Sequence, residues 1–148
     1  MTDQVTIAAL SEALDDEFKA RATYRKVIER FGPVRPFVNI VEAENRHIDA
    51  LLAQFERLGV RPPADRWADR AMAPETLATA CAAAVQAEID NDELYKRLLE
   101  QVSDAKVRFV MRRLQQASRL RHLPAFRRCL DRYASEAGSP HQMERPRN

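Results

Sequence analysis

The sequence predicts an all-α protein: a four-helix bundle made of two duplicated helical hairpins joined by a long crossover loop. Only 3 of the 148 residues are glycine, and long stretches rich in Ala, Leu, Arg and Glu favour helix. Apolar residues alternate by three and four positions along four segments, as they do in helices that bury one face. The spacing from Glu17 to Tyr24 is repeated by Glu88 and Tyr95, with an offset of 71 residues for both.

The first hairpin is predicted from its stop signals. Helix one is expected over residues 5–31, because Gly32 and the proline after it end a helix. Helix two is expected over residues 36–58, with a proline in its first turn, where a missing N–H is tolerated, and Gly59 after its last residue. The short link between the two helices predicts that they are antiparallel neighbours.

A long crossover is predicted over residues 59–73. The stretch 59–74 has no periodicity and holds three prolines. Extended at about 3.3 Å per residue, it spans roughly 50 Å, more than the roughly 36 Å of a 24-residue helix. We therefore expect it to return the chain to the opposite end of the bundle, with Trp67 packed against the helices.

The second hairpin is predicted to comprise helix three over residues 74–102 and helix four over residues 104–135. Pro124 lies inside helix four and is expected to bend it just after His122. The turn between the helices contains Asp104, a preferred helix-capping residue.

The bundle is expected to span residues 5–136, with disordered segments at 1–4 and 137–148. No stretch of eighteen apolar residues is present, so no membrane association is expected. The first residues lack the basic and apolar regions of a secretion signal, which predicts a cytoplasmic protein.

Polar residues occupy predicted core positions on all four helices: Glu17, Glu44, His47, Glu88 and His122. A buried carboxylate is costly unless it is paired or bound to a cation. The set predicts a site for two hard cations, iron or manganese, bridged by carboxylates and each bound by one imidazole. Tyr24 and Tyr95 follow their glutamates by two helical turns and are candidate auxiliary residues that supply an electron or a hydrogen bond.

The duplication is broken at one position. A second Glu-x-x-His motif would place a glutamate at residue 119, where the chain has Arg119. Asp92, one turn after Glu88, is the weaker candidate for the missing ligand, and a solvated side chain is its alternative. Arg119 and Arg21 could instead neutralise the carboxylates, leaving a metal-free salt-bridge cluster.

These residues resemble those of ferritin-like proteins, in particular the rubrerythrin-type bundle and a related ferritin-like family of unknown function. The resemblance spans roughly residues 8–134 and is carried by Glu17-x-x-Ala20-Arg21-x-x-Tyr24, Phe37-x-Asn39-Ile40, Glu44-x-x-His47, Glu88 and His122-Leu123-x-Ala125-Phe126. It implies that the five core glutamates and histidines are metal ligands. The departure at Arg119 leaves open one metal or an altered site.

Three functions follow from this resemblance. The first is a di-iron or single-metal oxidoreductase that acts on O2 or peroxide, with an external electron donor because no rubredoxin-like four-cysteine module is present. The second is Fe(II) oxidation coupled to storage, which requires a cage. The third is a non-catalytic interaction or structural bundle with a degenerate site and no bound metal. A homodimer is expected.

The two cysteines are predicted to lie at the same end of the bundle. Cys81 precedes Glu88 by seven residues, and Cys129 follows His122 by seven. If helices three and four are antiparallel neighbours, both sulfurs lie about 10.5 Å from the level of the site. They are either two buried thiols, the usual state in a cytoplasmic protein, or a redox-active pair.

Charge is distributed unevenly between the last two helices. Residues 104–134 carry a net charge of +7, and residues 75–102 carry −4. Side-by-side packing would partly neutralise the two. The alternative is a basic surface for nucleic acid, as in some mini-ferritins, but no base-reading motif accompanies it and nucleic-acid binding is not expected.

Overall fold

The structure, a computed structural model, describes residues 3–137, with side chains to residue 134. The described residues form helices and no strands, as predicted. The helices make up four rod-like segments, which we call rods. The helices are α1 (Gln4–Phe31), α2 (Phe37–Leu58), α3 (Leu77–Gln101), α4 (Ala105–Ala117) and α5 (Leu123–Ala137). A π-helical turn, Ser118–His122, joins α4 to α5, and these three elements form the fourth rod. No helix within the described range is long and apolar enough to cross a membrane.

The ends of the bundle differ from the prediction. Helix α1 begins at Gln4, because the Asp3 carboxylate accepts a hydrogen bond from the Val5 N–H at 3.0 Å and caps the helix. The predicted disorder of residues 1–4 is therefore wrong for Asp3 and Gln4. At the other end, Ala137 still belongs to α5. The remainder of the predicted tail, and residues 1–2, lie outside the described range.

The crossover is three residues longer than predicted and ends at Thr76 rather than residue 73. Thr76 caps α3 by a reciprocal capping box with Thr79, whose backbone N–H donates to the Thr76 hydroxyl at 3.0 Å. This local pairing fixes the start of α3 downstream of Pro74, the residue at which sequence reasoning began the helix.

Each rod is antiparallel to its packing neighbours. Helix α1 packs against α2 and α3, α3 packs against α4 and α5, and α2 packs against α4. The direction of α3 relative to α1 follows from two contacts, Tyr24 with Glu88 and Glu17 with Tyr95. Because α2 and α3 are both antiparallel to α1, they run parallel, and residues 59–76 must carry the chain back along the bundle.

The crossover is attached to α1 by polar contacts. The Trp67 indole N–H donates to Asp15 Oδ1 at 3.1 Å, and Arg66 pairs with the same carboxylate at 2.8 Å. Arg21 binds Asp65 Oδ2 at 3.2 Å. Trp67 is partly buried against the apolar core. The predicted packing of this residue against the helices is confirmed.

Two apolar clusters divide the interior. One contains Leu10, Leu14, Leu51, Phe55, Leu98 and Met111 among others, and the second contains Tyr24, Phe37, Phe126 and the two cysteines. The buried glutamates and histidines belong to neither cluster. Along each helix they lie between residues of the first cluster and residues of the second. The polar layer is thus enclosed by packed side chains at both ends.

Pro124 is preceded by a widened turn. Within Ser118–His122, the Leu123 N–H donates to the Ser118 carbonyl five residues earlier. A proline lacks the N–H of a regular helix and its ring crowds the preceding turn, and π turns are common at such places. The π turn holds one residue more than a regular helical turn. Ser118 is buried there, at 1% exposure, and Arg119 lies on the surface.

Candidate metal centre

The predicted ligands converge in the polar layer. Glu17 comes from α1, Glu44 and His47 from α2, Glu88 from α3 and His122 from the π turn. Each is at most 6% exposed. They form two overlapping groups in which one ligand atom of each member lies within 4.8 Å of the others. The groups are Glu17, Glu44 and His47, and Glu44, Glu88 and His122.

Glu44 is shared by both groups, one carboxylate oxygen for each. Its Oε2 lies 3.6 Å from His47 Nδ1, and its Oε1 lies 3.4 Å from His122 Nδ1. The outer carboxylates complete the pattern, with Glu17 Oε2 at 3.5 Å from His47 Nδ1 and Glu88 Oε1 at 3.4 Å from His122 Nδ1. The two imidazole rings are stacked with centroids 5.3 Å apart.

Several of these atoms have no hydrogen bond. Glu44 Oε2, His47 Nδ1 and His122 Nδ1 are buried and have no partner among the described residues. Such orphaned polar atoms are costly in a protein interior. They face one another at distances slightly longer than hydrogen bonds. One ion in each group would give all three a partner, so the donor set fits a pair of cations.

The tyrosines link the two hairpins through the outer carboxylates. Tyr95 donates its hydroxyl hydrogen to Glu17 Oε1 at 2.7 Å, and Tyr24 donates to Glu88 Oε1 at 3.0 Å. Burial raises the pKa of both phenols, and the nearby glutamates raise it further. Both tyrosines therefore stay protonated and orient the carboxylates, as groups around metal ligands commonly do.

The carboxylates influence one another strongly. Burial raises the pKa of Glu44 well above its usual range, and the charge of Glu17 adds to this effect. Burial also favours the neutral form of Glu17, but its contacts with the Glu44 carboxyl group and with His47 outweigh this and lower its pKa to about 2. The contact between the two carboxyl groups therefore lowers the pKa of Glu17 and raises that of Glu44.

The two arginines do not neutralise this cluster. Arg119 is exposed, because the π turn rotates it away from the core. Arg21 points to the crossover instead, where it binds Asp65 and donates to Asn45 Oδ1 at 3.1 Å. The proposed arginine-paired form of the site is contradicted for the described residues.

Asp92 also lies outside the cluster. It is half-buried beside α4, where the Gln115 side chain donates to its Oδ1 at 3.1 Å. Its position on α3 directs it to the fourth rod and not to the centre. The prediction that Asp92 replaces the missing ligand is therefore wrong.

Sequence reasoning missed a polar pair beside Glu17. Asn91 is 4% exposed, and its Nδ2 donates to Asp16 Oδ2 at 2.7 Å and approaches Glu17 Oε1 at 3.5 Å. Burial raises the pKa of Asp16 to about 6, and the charge of Glu17 acts in the same direction. The sequence did contain a signal for Asn91, because this residue follows Glu88 by three positions on the same helical face.

The two cysteines meet at the predicted end of the bundle. Cys81 and Cys129 are joined by a disulfide bond, with Cα atoms 5.7 Å apart, and both are buried. The alternative of two free thiols is contradicted. The bond connects α3 to α5 in the apolar cluster that contains Tyr24.

The centre can be reached from two faces. A cavity of about 330 Å³ between α1 and α3 is lined by Glu44, Glu88 and Tyr24, with Asp16 and Asp90 among its other polar residues. A larger groove of about 700 Å³ between α2 and α4 is lined by His47 and His122. We call these the α1/α3 cavity and the α2/α4 groove.

No protein-family model and no curated protein matches the chain. Among solved structures, it is similar to a hypothetical protein from Methanococcus jannaschii, with 19% identity and a TM-score of 0.81 over 90% of this chain and 84% of that one. It is also similar to a conserved hypothetical protein from Mycobacterium tuberculosis, with 20% identity and a TM-score of 0.68 over 86% of this chain and 91% of the other. At these identities the likeness shows the fold alone, an all-helical domain shared by both structures.

Proposed function

We propose that this protein is a ferritin-like metal-binding protein, and that its buried glutamates and histidines hold two divalent cations of iron or manganese. The observation that carries the proposal is the arrangement of Glu44, whose two oxygens each face one histidine and one outer carboxylate. A carboxylate shared in this way is the usual bridge of a dinuclear site in a helical bundle.

The donor chemistry supports the choice of metal. Three carboxylates and two imidazoles suit iron or manganese, whereas the cysteines, which would favour softer metals, are bonded to each other elsewhere. The outer ligands Glu17 and Glu88 each accept a tyrosine hydrogen bond, which fixes their orientation before a cation arrives.

We propose further that the loaded protein is an oxidoreductase acting on O2 or peroxide. Iron or manganese would supply one-electron steps between the divalent and trivalent states. The residues of the chain would bind and orient the small oxidant beside the histidines, keep bulk water out with the two apolar clusters, and hold protons on Tyr24 and Tyr95. Electrons would come from an external donor.

The position of Ser118 supports a second candidate function, a non-catalytic bundle with a degenerate site. Ser118 lies where a fourth carboxylate would be expected, and the cluster carries fewer acidic groups than a symmetrical site. In this form the histidines would face the glutamates with no metal between them. The bundle would then serve as an interaction module.

Metal analysis separates these candidates. We expect protein purified from iron-supplemented cells, or reconstituted with Fe(II) or Mn(II), to hold close to two ions per chain and to be stabilised by about 2.7 kcal/mol for each ion when the free metal is at 100 times its Kd. Glu44→Gln keeps the shape of the side chain but removes the bridge, and it should lose both ions. Asp92→Asn, a carboxylate outside the cluster, is the control and should retain them.

The activity assay follows peroxide consumption by the reduced, loaded protein in the presence of a chemical reductant such as ascorbate, which supplies the electrons for repeated turnover. Turnover in the wild type and in Asp92→Asn, but not in Glu44→Gln, would support the oxidoreductase. Metal content near zero, with stability unmoved by Fe(II) or Mn(II), would favour the degenerate bundle instead. Bound metal without turnover would support a binding protein and reject the oxidoreductase.

A further inference from the structure

The α2/α4 groove carries a charge pattern opposite to that of the α1/α3 cavity. The groove is lined by the basic residues Arg46, Arg113 and Arg121 and by no acidic residue. The cavity is lined by four carboxylates and a single lysine. A cation approaching the centre would therefore favour the cavity, and an anion would favour the groove.

The three arginines of the groove are available to a ligand. None of them has a carboxylate within salt-bridge distance among the residues described, and all three are exposed at its rim. Arg46 directly precedes His47, and Arg121 directly precedes His122. The duplicated Arg-His pair thus places a guanidinium beside each histidine, one from each wall of the groove.

Apolar side chains provide the other half of the surface. Phe109 and Leu120 line the groove and are 62% and 67% exposed. Ile40, Val110 and Leu114 lie deeper along the same walls. The Arg113 guanidinium stacks over the Phe109 ring at 5.7 Å from its centroid, so a positive charge adjoins the apolar surface. Large apolar residues exposed at a concave surface commonly mark a binding site.

We propose that the α2/α4 groove binds a small organic acid with an apolar body. The carboxylate would be held by the arginines and the apolar body by Phe109 and Leu120. The volume of about 700 Å³ lies within the roughly 300–1,000 Å³ typical of small-molecule sites. Binding of the acid at the groove does not depend on the proposed metal function.

Octanoate is the probe for the proposed site, and calorimetric titration of the full chain measures its binding. Arg46→Gln/Arg121→Gln removes two charges from the groove and should weaken binding about tenfold or more, since charge-assisted hydrogen bonds are among the strongest polar contacts. Arg112→Gln/Arg127→Gln is the matched control. It removes two exposed arginines of the fourth rod that do not line the groove, and it should bind octanoate as the wild type does.

Two further comparisons test the parts of the ligand. Octylammonium has the same chain and the opposite charge, and it should bind at least about tenfold more weakly than octanoate. Phe109→Ala/Leu120→Ala should weaken octanoate but leave acetate, which lacks the apolar chain, unchanged. Equal loss in the two arginine pairs, or equal binding of octylammonium, would overturn the proposal.

Other occupants give different results. If a second copy of the chain covers the groove, the protein will be a dimer that Phe109→Asp converts to a monomer, and octanoate will not bind. If the arginines serve nucleic acid, a DNA duplex will bind and octanoate will not. Either result overturns the proposal. Octanoate binding to protein that cannot be loaded with Fe(II) or Mn(II) would leave the groove assignment intact, and the failure to load metal would reject the metal function.

Discussion

At the scale of single residues, the buried glutamates are divided between two histidines. His47 faces Glu17 and Glu44, whereas His122 faces Glu44 and Glu88. Each outer carboxylate therefore belongs to one half of the polar layer, and Glu44 belongs to both. The two halves should therefore respond differently to substitution of a histidine than to substitution of Glu44.

We expect His47→Ala and His122→Ala each to reduce the metal content from about two ions per chain to about one. Each substitution removes the imidazole of one half and leaves three ligands, including Glu44, in the other. Metal analysis of Mn(II)-reconstituted protein measures this outcome. The surface substitution Arg112→Gln is the control. Loss of both ions in each histidine variant would contradict the division into two halves.

Most of these residues could be predicted from the sequence, since Glu17, Glu44, His47, Glu88 and His122 all occupy apolar positions of a helical repeat. What could not be predicted was the direction of the polar residues beside them. Arg21 and Asp92 lie close to the buried face of their helices, and a small rotation about the helix axis directs each side chain to a neighbouring element. Helical spacing in the sequence does not resolve such a rotation.

At the scale of elements, the π turn in the fourth rod decides which side chain accompanies His122. In a regular helix the residues three and four positions earlier, Arg119 and Ser118, would both lie near its face. With one residue more in the turn, Ser118 is buried at 1% exposure and Arg119 lies on the surface. The sequence predicted Arg119 as the companion of His122, whereas the structure buries Ser118.

The burial of Ser118 and the exposure of Arg119 predict different effects for substitutions at these two positions. Ser118→Glu should add a carboxylate to the half of His122, raising the affinity for the second ion and lowering the free energy of unfolding in metal-free protein, because an extra buried charge has no partner there. Arg119→Glu should change neither property, since its side chain is exposed. Metal titration and urea unfolding measure both. If Arg119→Glu tightens metal binding and Ser118→Glu does not, the π turn is wrongly placed.

The crossover supplies a second prediction at this scale. The hydrogen bond from Arg66 lowers the pKa of Asp15, although burial opposes the shift, and the Trp67 indole adds to it. The pKa is lowered in the folded protein, so the contact stabilises the folded state fully above the usual value near 3.8. That contribution is lost as the pH falls through the lower folded value.

Trp67 is the single tryptophan and reports this contact directly. We expect its emission to change as the pH falls below about 3.8, the usual pKa of an aspartate. Asp15→Asn, which keeps the side-chain shape but cannot titrate, should have an altered emission at neutral pH and lack the acid transition. Circular dichroism recorded in parallel distinguishes release of the crossover from unfolding of the helices. An identical acid transition in Asp15→Asn would contradict the anchoring role.

At the scale of the whole molecule, the two hairpins are held together in three ways. The tyrosines donate across the hairpins to the outer carboxylates, the apolar clusters pack above and below the polar layer, and the crossover fastens to α1. The disulfide acts within the second hairpin, where it joins α3 to α5. Arg113 and Arg121 of the fourth rod form no salt bridge with any residue that the structure describes, so they do not contribute to this cohesion.

The four rods and the crossover could be predicted from the sequence, because apolar periodicity and Gly or Pro stop signals act locally. The meeting of Cys81 with Cys129 also followed, since equal spacing from Glu88 and His122 in antiparallel helices brings them to one level. The α1/α3 cavity and the α2/α4 groove could not be predicted from the sequence. They depend on how far apart neighbouring rods pack, which is set by side chains on two helices together.

The disulfide should make the stability of the second hairpin depend on redox conditions. The bond closes a loop with a sequence separation of 48 residues, and constraint of the unfolded chain by such a loop is worth about 4 kcal/mol at most in simple entropy models. We expect reduction by dithiothreitol to lower the free energy of unfolding by about 2–4 kcal/mol. Cys81→Ser/Cys129→Ser should start at the lower value and be insensitive to the reductant.

Because Cys81 lies two turns from Glu88 on one helix, loosening this end should also weaken metal binding, and a metal titration with and without reductant measures that coupling. Free thiols in the native protein, or equal stability in both conditions, would contradict the covalent link and remove the reason to expect the coupling.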